Sequence, residues 1–257
     1  MEEIKDRLDF TIKESDKILK HFNDTQGDDI HLFCFYMIER LNFSSRGLVP
    51  LLKDFTSQSQ LEYCCGIIMR TVLLDYMIVL NAYVIILEDI DSKDFKEKLN
   101  KFCSTMLSDC VNHTLNDVQK LRIPEEDLKM IYRGIAKIYS DCLEPYPNDG
   151  SKPIPLIKNS DYSNGKLFEK LFNSKELRKY SNVYQGYLFY SKYDHFGRMY
   201  YDIARHDTVK KIYRMNESIK LFPRMLMFTL SILLIFNQQD NFLIEELGIL
   251  MKYNDSY

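Results

Sequence analysis

The sequence has no tryptophan, only nine glycines and seven prolines in 257 residues, and none of the short motifs that announce common chemistries. Each shortage excludes something. So little Gly and Pro rules out collagen-like, linker-like and turn-rich β chains, and it favours long helices. The P-loop, G-x-G-x-x-G, H-E-x-x-H, G-x-S-x-G and EF-hand patterns are all missing, so standard nucleotide hydrolysis, dinucleotide chemistry, zincin proteolysis and esterase chemistry have no support. The six cysteines form no C-x-x-C pair and lie in apolar runs, so they read as buried free thiols rather than a zinc site or a disulfide framework. The N-terminus, Met1-Glu2-Glu3-Ile4-Lys5-Asp6-Arg7, lacks the apolar run of a secretory signal, and a cytoplasmic location is expected. Residues 72–87 and 225–236 are the most apolar stretches, both shorter than the roughly 20 residues a bilayer core requires. They read as core helices, with no membrane partner.

What the sequence does contain is 46% hydrophobic residues and a net charge of only −3, too apolar and too neutral for a disordered chain. Apolar positions at Ile4, Leu8, Ile12, Ile18 and Phe22 carry the period of an amphipathic helix. A break at 23–29 precedes a second helix from about Ile30, which Pro50 should kink or end, leaving a short continuation through Leu51, Leu52 and Phe55. Ser57 with Gln60, or Ser59 with Glu62, offers a capping box ahead of residues 61–87, a run apolar in nearly every direction and hence a central helix. Further helices are expected after Ser92 and from Pro124, where Glu125 and Glu126 suit the first turn. Residues 144–165 hold four of the seven prolines and form either a domain linker or an ordered loop laid over a helical core. Helices resume near Lys166, break near Asn173 and Asp207, and fray after Met251. The expected fold is all-α, seven to nine helices bundled around the central one. It is either one domain over 1–257 or two packed halves, 1–143 and 166–257.

Three groups of residues invite a chemical reading. On the central helix, Arg70 and Asp75 lie about 140° apart and cannot pair with each other, so each needs a partner on another helix. That partner is either structural, with Glu39, Arg40 or Arg46 as candidates, or a ligand in a cleft. Secondly, if residues 191–206 are helical, Ser191, His195, Arg198, Asp202, Arg205 and His206 fall in one stripe about 100° wide. Two histidines there have metal-ligand character, but Arg198 and Arg205 would repel a cation, so the stripe suits an anion such as phosphate and no metal or cofactor is expected. A solvated charged face is the plainer alternative. Thirdly, residues 166–224 hold thirteen Lys and Arg against six acids, a local net of +7 that leaves −10 for the remainder. The same segment carries thirteen of the 34 aromatics, a mixture suited to phosphate contact and base stacking, although much of it must also be core.

The run Phe43-Ser-Ser-Arg46-Gly-Leu-Val-Pro-Leu-Leu52, residues 61–82 with Arg70 and Asp75, and Tyr190-Ser191-Lys-Tyr-Asp-His195 together resemble an uncharacterised family of bacterial helical proteins akin to the HEPN and abortive-infection proteins. The resemblance covers roughly residues 30–90 and 180–235. It implies a helical protein that binds RNA or a nucleotide in phage defence or stress and, if it is an enzyme, a metal-independent ribonuclease. HEPN ribonucleases carry an Arg and a His four to six residues apart on one helix. This sequence departs from that pattern, for the pair that comes nearest to that spacing, Arg198 and His206, has seven residues between. Within this reading His195 or His206 would transfer protons, and Arg198 and Arg205 would hold phosphate. The competing expectation is a non-catalytic interaction module, or a homodimer, whose basic segment docks an acidic surface.

Overall fold

The structure, a computed structural model, describes residues 1–22, 27–120, 123–156, 163–192 and 205–256. It is an all-α bundle with no strand among the described residues. Among the described residues ten α-helical segments follow one another: α1 Glu2–Phe22, α2 Asp29–Lys53, α3 Glu62–Asp89, α4 Phe95–Lys120, α5 Glu125–Ile138, α6 Asn164–Asn173, α7 Asn182–Ser191, α8 Thr208–Ile219, α9 Leu221–Phe236 and α10 Asn241–Asp255. The last turn of α8 passes into α9 through Lys220, whose φ −53° and ψ −24° are still helical. Pro223 explains the junction, because its ring crowds the carbonyl of Ile219 and it has no N–H to give. Counted as one bent helix, α8 and α9 bring the total among the described residues to nine, within the expected range.

The central helix is where the sequence pattern places it. Val72, Leu73, Tyr76, Met77, Val79 and Leu80 of α3 are all at most 1% exposed, and α2, α4, α6, α7, α8 and α9 pack around it. It approaches α7 tightly at Gly186, where an added Cβ would lie 2.9 Å from Leu73 Cδ1. Asn81, polar in the middle of this apolar helix, donates Nδ2 to the Leu167 carbonyl at 3.0 Å and so fixes α6 against α3. By length and composition, α3 and the joined α8–α9 are each apolar enough to cross a membrane, longer than the apolar runs alone suggest; 61% of the most apolar window of each is buried within the bundle.

Polar seams set the register of α1 on its neighbours. The buried Arg7 donates to Asn216 Oδ1 of α8 at 2.8 Å and pairs with Glu3. Asn42 of α2 donates to Ser15 Oγ at 2.7 Å, and Arg46 grips Asp16. A smaller second core joins Val111 and Leu115 of α4 to Tyr132 and Ile135 of α5 and to Leu143. There the proline-rich stretch is an ordered loop over its first half, closed by an antiparallel bridge between Leu143 and Pro155 and turned at Asn148 and Gly150, both with positive φ.

Four local expectations are corrected. Helix α2 does not end at Pro50 but continues unbroken to Lys53, taking in Leu51 and Leu52 of the expected continuation; the proline forgoes only the bond to the Arg46 carbonyl. No capping box opens α3; a 3₁₀ turn over Ser59–Leu61 leads in, no side chain caps the helix, and Glu62 is turned inward. The C-terminal helix does not fray at Met251 but runs to Asp255, held by a stack of Tyr253 on Phe10 with centroids 3.6 Å apart. Cys34, Cys65 and Cys103 are buried, whereas Cys64 is exposed; these four and Cys142 are free thiols.

Candidate functional site

The basic, aromatic-rich segment folds into α6, α7, α8 and their connections, all along the α7 side of α3. Its rings serve two purposes. Tyr187 and Tyr190 are buried against α3, while Phe168 stacks on Tyr184 with centroids 4.0 Å apart and Phe172 is left 40% exposed. Cations lie over several of these rings: Arg178 over Phe172 at 4.3 Å, Lys179 over Tyr180 at 5.2 Å, Arg214 over Phe189 at 5.0 Å and Lys192 over Phe189 at 6.0 Å. The attraction is electrostatic, between the positive charge and the negative ring face, and it leaves the donors of the cation available to another acceptor. Lys175, Arg178, Lys179 and Arg205 are exposed, and none of the four has an ion-pair partner among the described residues.

At one end of this face lies a buried charge cluster. Lys211, Arg214 and Ser218 share a face of α8, being three and four residues apart. Arg214 Nη2 donates to Glu62 Oε1 at 2.6 Å, and Lys211 Nζ lies 3.9 Å from Glu62 Oε2. Glu62 and Lys211 are almost wholly buried. Arg214 Nη1 reaches His206 Nδ1 at 2.9 Å. A guanidinium only donates, so Nδ1 accepts and the imidazole proton resides on Nε2. Glu62, Arg214 and His206 thus form one hydrogen-bonded chain from the start of α3 to the bend ahead of α8. Beside it a cavity of about 310 Å³ is lined by Asn182, Gln185, Phe189, Tyr213, Arg214 and Glu217, among others. Tyr190, at its wall, has its hydroxyl pushed far up by burial.

The residues singled out in the sequence are distributed as follows. His195, Arg198 and Asp202 lie outside the described residues. Ser191 is the last residue of α7 and donates its hydroxyl back to the Tyr187 carbonyl at 2.6 Å. Arg205 and His206 occupy a turn and a bend, and Asp207 caps α8 by accepting from Lys210 N–H at 2.8 Å. A single helical stripe from Ser191 to His206 is therefore not formed at its C-terminal end, because the Asp207 cap requires extended backbone (φ −65°, ψ 158°). Arg70 faces α7, its guanidinium 5.9 Å from the Tyr187 ring centroid. Asp75 faces the other way and accepts from Arg40 Nε and Nη2 of α2 at 2.8 and 3.0 Å. The structure thus brings Arg70 and Ser191 to the two ends of one tyrosine and separates both from Asp75.

Glu62, Lys211 and Arg214 were not evident as site residues. Glu62 reads as a helix-start acid, and the two cations are lost among thirteen. Among the described residues, no group of three or more His, Cys, Asp and Glu side chains converges in a way that would hold a metal. The class the fold and this face define is a helical bundle with a cation- and ring-studded side. Comparison with family models, with curated proteins and with solved structures finds no match.

Proposed function

We propose that this chain binds single-stranded RNA or a nucleotide along the α6–α8 face. The observation that carries the reading is the row of exposed cations without ion-pair partners, Lys175, Arg178 and Lys179, set over or beside the rings of Phe172 and Tyr180. Guanidinium and ammonium groups meet phosphates, and exposed rings stack on bases with little regard to sequence. The 310 Å³ cavity beside Arg214 adds amides, rings and a cation of the kind that would receive a base. A HEPN-like relationship, a cytoplasmic role in phage defence and a metal-independent ribonuclease activity belong to the same proposal. In it His206, donating from Nε2, and His195 move protons, while Arg198 and Arg205 hold phosphate.

The test is fluorescence anisotropy with a labelled single-stranded RNA across a salt series. Affinity should fall linearly in log–log coordinates, and Arg178→Ala with Lys179→Ala should weaken binding about tenfold and flatten the salt slope. Binding indifferent to salt, or unchanged in the double variant, overturns the reading. A second reading, in which the basic face docks an acidic surface of another protein or another copy, is favoured by Glu62, which already draws Arg214 and Lys211 inward. Sedimentation of wild type beside the same double variant separates the two.

A further inference from the structure

On the α2 side of α3, away from the basic face, a cleft of about 570 Å³ opens between α2, α3 and α4. That volume falls within the range of small-molecule sites, roughly 300 to 1,000 Å³. Its walls are mostly apolar, with Phe33, Met37, Leu74, Ile78 and Met106 among them, and the thioethers can adapt to varied shapes. Four ionisable side chains also line it, in two pairs: Arg40 with Asp75, and the more exposed His113 with Asp109, 3.5 Å apart. Asp75, 3% exposed, holds Arg40 side-on through Nε and Nη2, while the Arg40 side chain is 53% exposed.

We propose that this cleft binds an apolar organic anion, a small molecule with a carboxylate at one end and an aliphatic or aromatic body. The negative charge of Asp75 is directed at two nitrogens of Arg40. The third, Nη1, has no partner among the described residues and lies on the opposite edge of the guanidinium. The buried carboxylate holds the arginine in one geometry before any ligand arrives, so an incoming carboxylate finds fixed donors and bears little of the cost of ordering them. An uncharged alkyl ligand would cover the Arg40 N–H groups without satisfying them. The remaining walls accept the body of the ligand.

Calorimetric titration with dodecanoate, and with dodecanol as its uncharged counterpart, tests the site. Dodecanoate should bind in a 1:1 complex about tenfold more tightly than dodecanol. The double variant Arg40→Gln with Asp75→Asn replaces the ion pair by two neutral amides, so that no buried charge is left without a partner, and should erase the preference. Met106→Trp, which fills the cleft and leaves the ion pair intact, should abolish binding of both. Equal affinity for the acid and the alcohol, absence of binding, or dodecanoate binding that survives either variant overturns the proposal. Neither variant touches the α6–α8 face, so RNA binding serves as the independent control on folding and on the first reading.

Discussion

Arg214 and Glu62 are 152 positions apart in sequence and 2.6 Å apart in space, joining α8 to the first turn of α3 with the carboxylate only 2% exposed. Removing one partner of such a pair strands the other. Arg214→Ala should cost about 3 kcal/mol, because Glu62 then keeps only the distant Lys211 in a setting that water does not reach. Replacing both by methionine should cost less than the single change, since well-packed apolar residues often match a buried ion pair. Urea unfolding of the three proteins measures this; a double variant weaker than Arg214→Ala would refute it.

The outline of the fold was legible because helical periodicity is local. The apolar faces of α1 and α3, the acidic start of α5 and the proline-rich loop could all be read from neighbouring residues. Arg40 was legible as a candidate partner for Asp75, since a charge on an apolar helix must be answered nearby. The Glu62–Arg214–His206 chain was not. It depends on which turn of α8 meets α3, a long-range fact with no periodic trace, and on His206 lying in the bend that the Asp207 cap imposes. Glu62 illustrates the limit: a glutamate at a helix start has the same local pattern whether it caps the helix or turns inward.

Two glycines separate local from tertiary effects. Gly134 is exposed within α5 and an added Cβ there meets nothing within 4 Å, so Gly134→Ala should stabilise by about 0.5–1 kcal/mol through helix propensity alone. Gly186 sits at the α3–α7 contact, where the new methyl would press on the fully buried Leu73. Overpacking of this kind costs about 1–3 kcal/mol and should outweigh the same propensity gain. Thermal melts of the two variants should therefore move in opposite directions, and a stabilised Gly186→Ala would show that the interface is looser than described.

Tyr76 is fully buried among Tyr180 and Phe228, and its hydroxyl has no hydrogen-bond partner among the described residues. Burial also holds that hydroxyl far above the ordinary tyrosine range, so it stays protonated. A desolvated polar group without a partner is a cost, and Tyr76→Phe removes it while keeping the ring. The variant should be as stable as wild type or more stable by about 1 kcal/mol. A loss above that size in urea unfolding would mean the hydroxyl has a partner after all.

The C-terminal helix meets α1 through a pair of buried carboxyl groups, Glu14 and Glu246, with Lys17 reaching Glu246 Oε1 at 3.3 Å and Glu14 Oε2 at 2.5 Å. Burial, the hydrogen bond with Glu14 and the charge of Glu14 hold the Glu246 carboxyl above its ordinary value of 4.5. Burial pushes Glu14 up too, but the hydrogen bonds from Glu246 and Lys17 outweigh it and hold Glu14 below 4.5. The buried Glu246 Oε2 has no hydrogen-bond partner among the described residues, which adds to the cost of charging this carboxyl. A raised carboxyl contributes fully below its unfolded value and loses that contribution as pH climbs through the folded one; Glu14, lowered, does the reverse on the acid side. Stability from this contact should peak near pH 4.5 and decline above it as the shared proton leaves. Glu246→Gln supplies a permanent donor of the same shape. It should remove the decline and leave the variant more stable than wild type at pH 7, on the order of one hydrogen bond, about 1 kcal/mol. Urea midpoints at pH 5 and pH 7 decide it: parallel losses in both proteins would place the pH dependence elsewhere in the bundle.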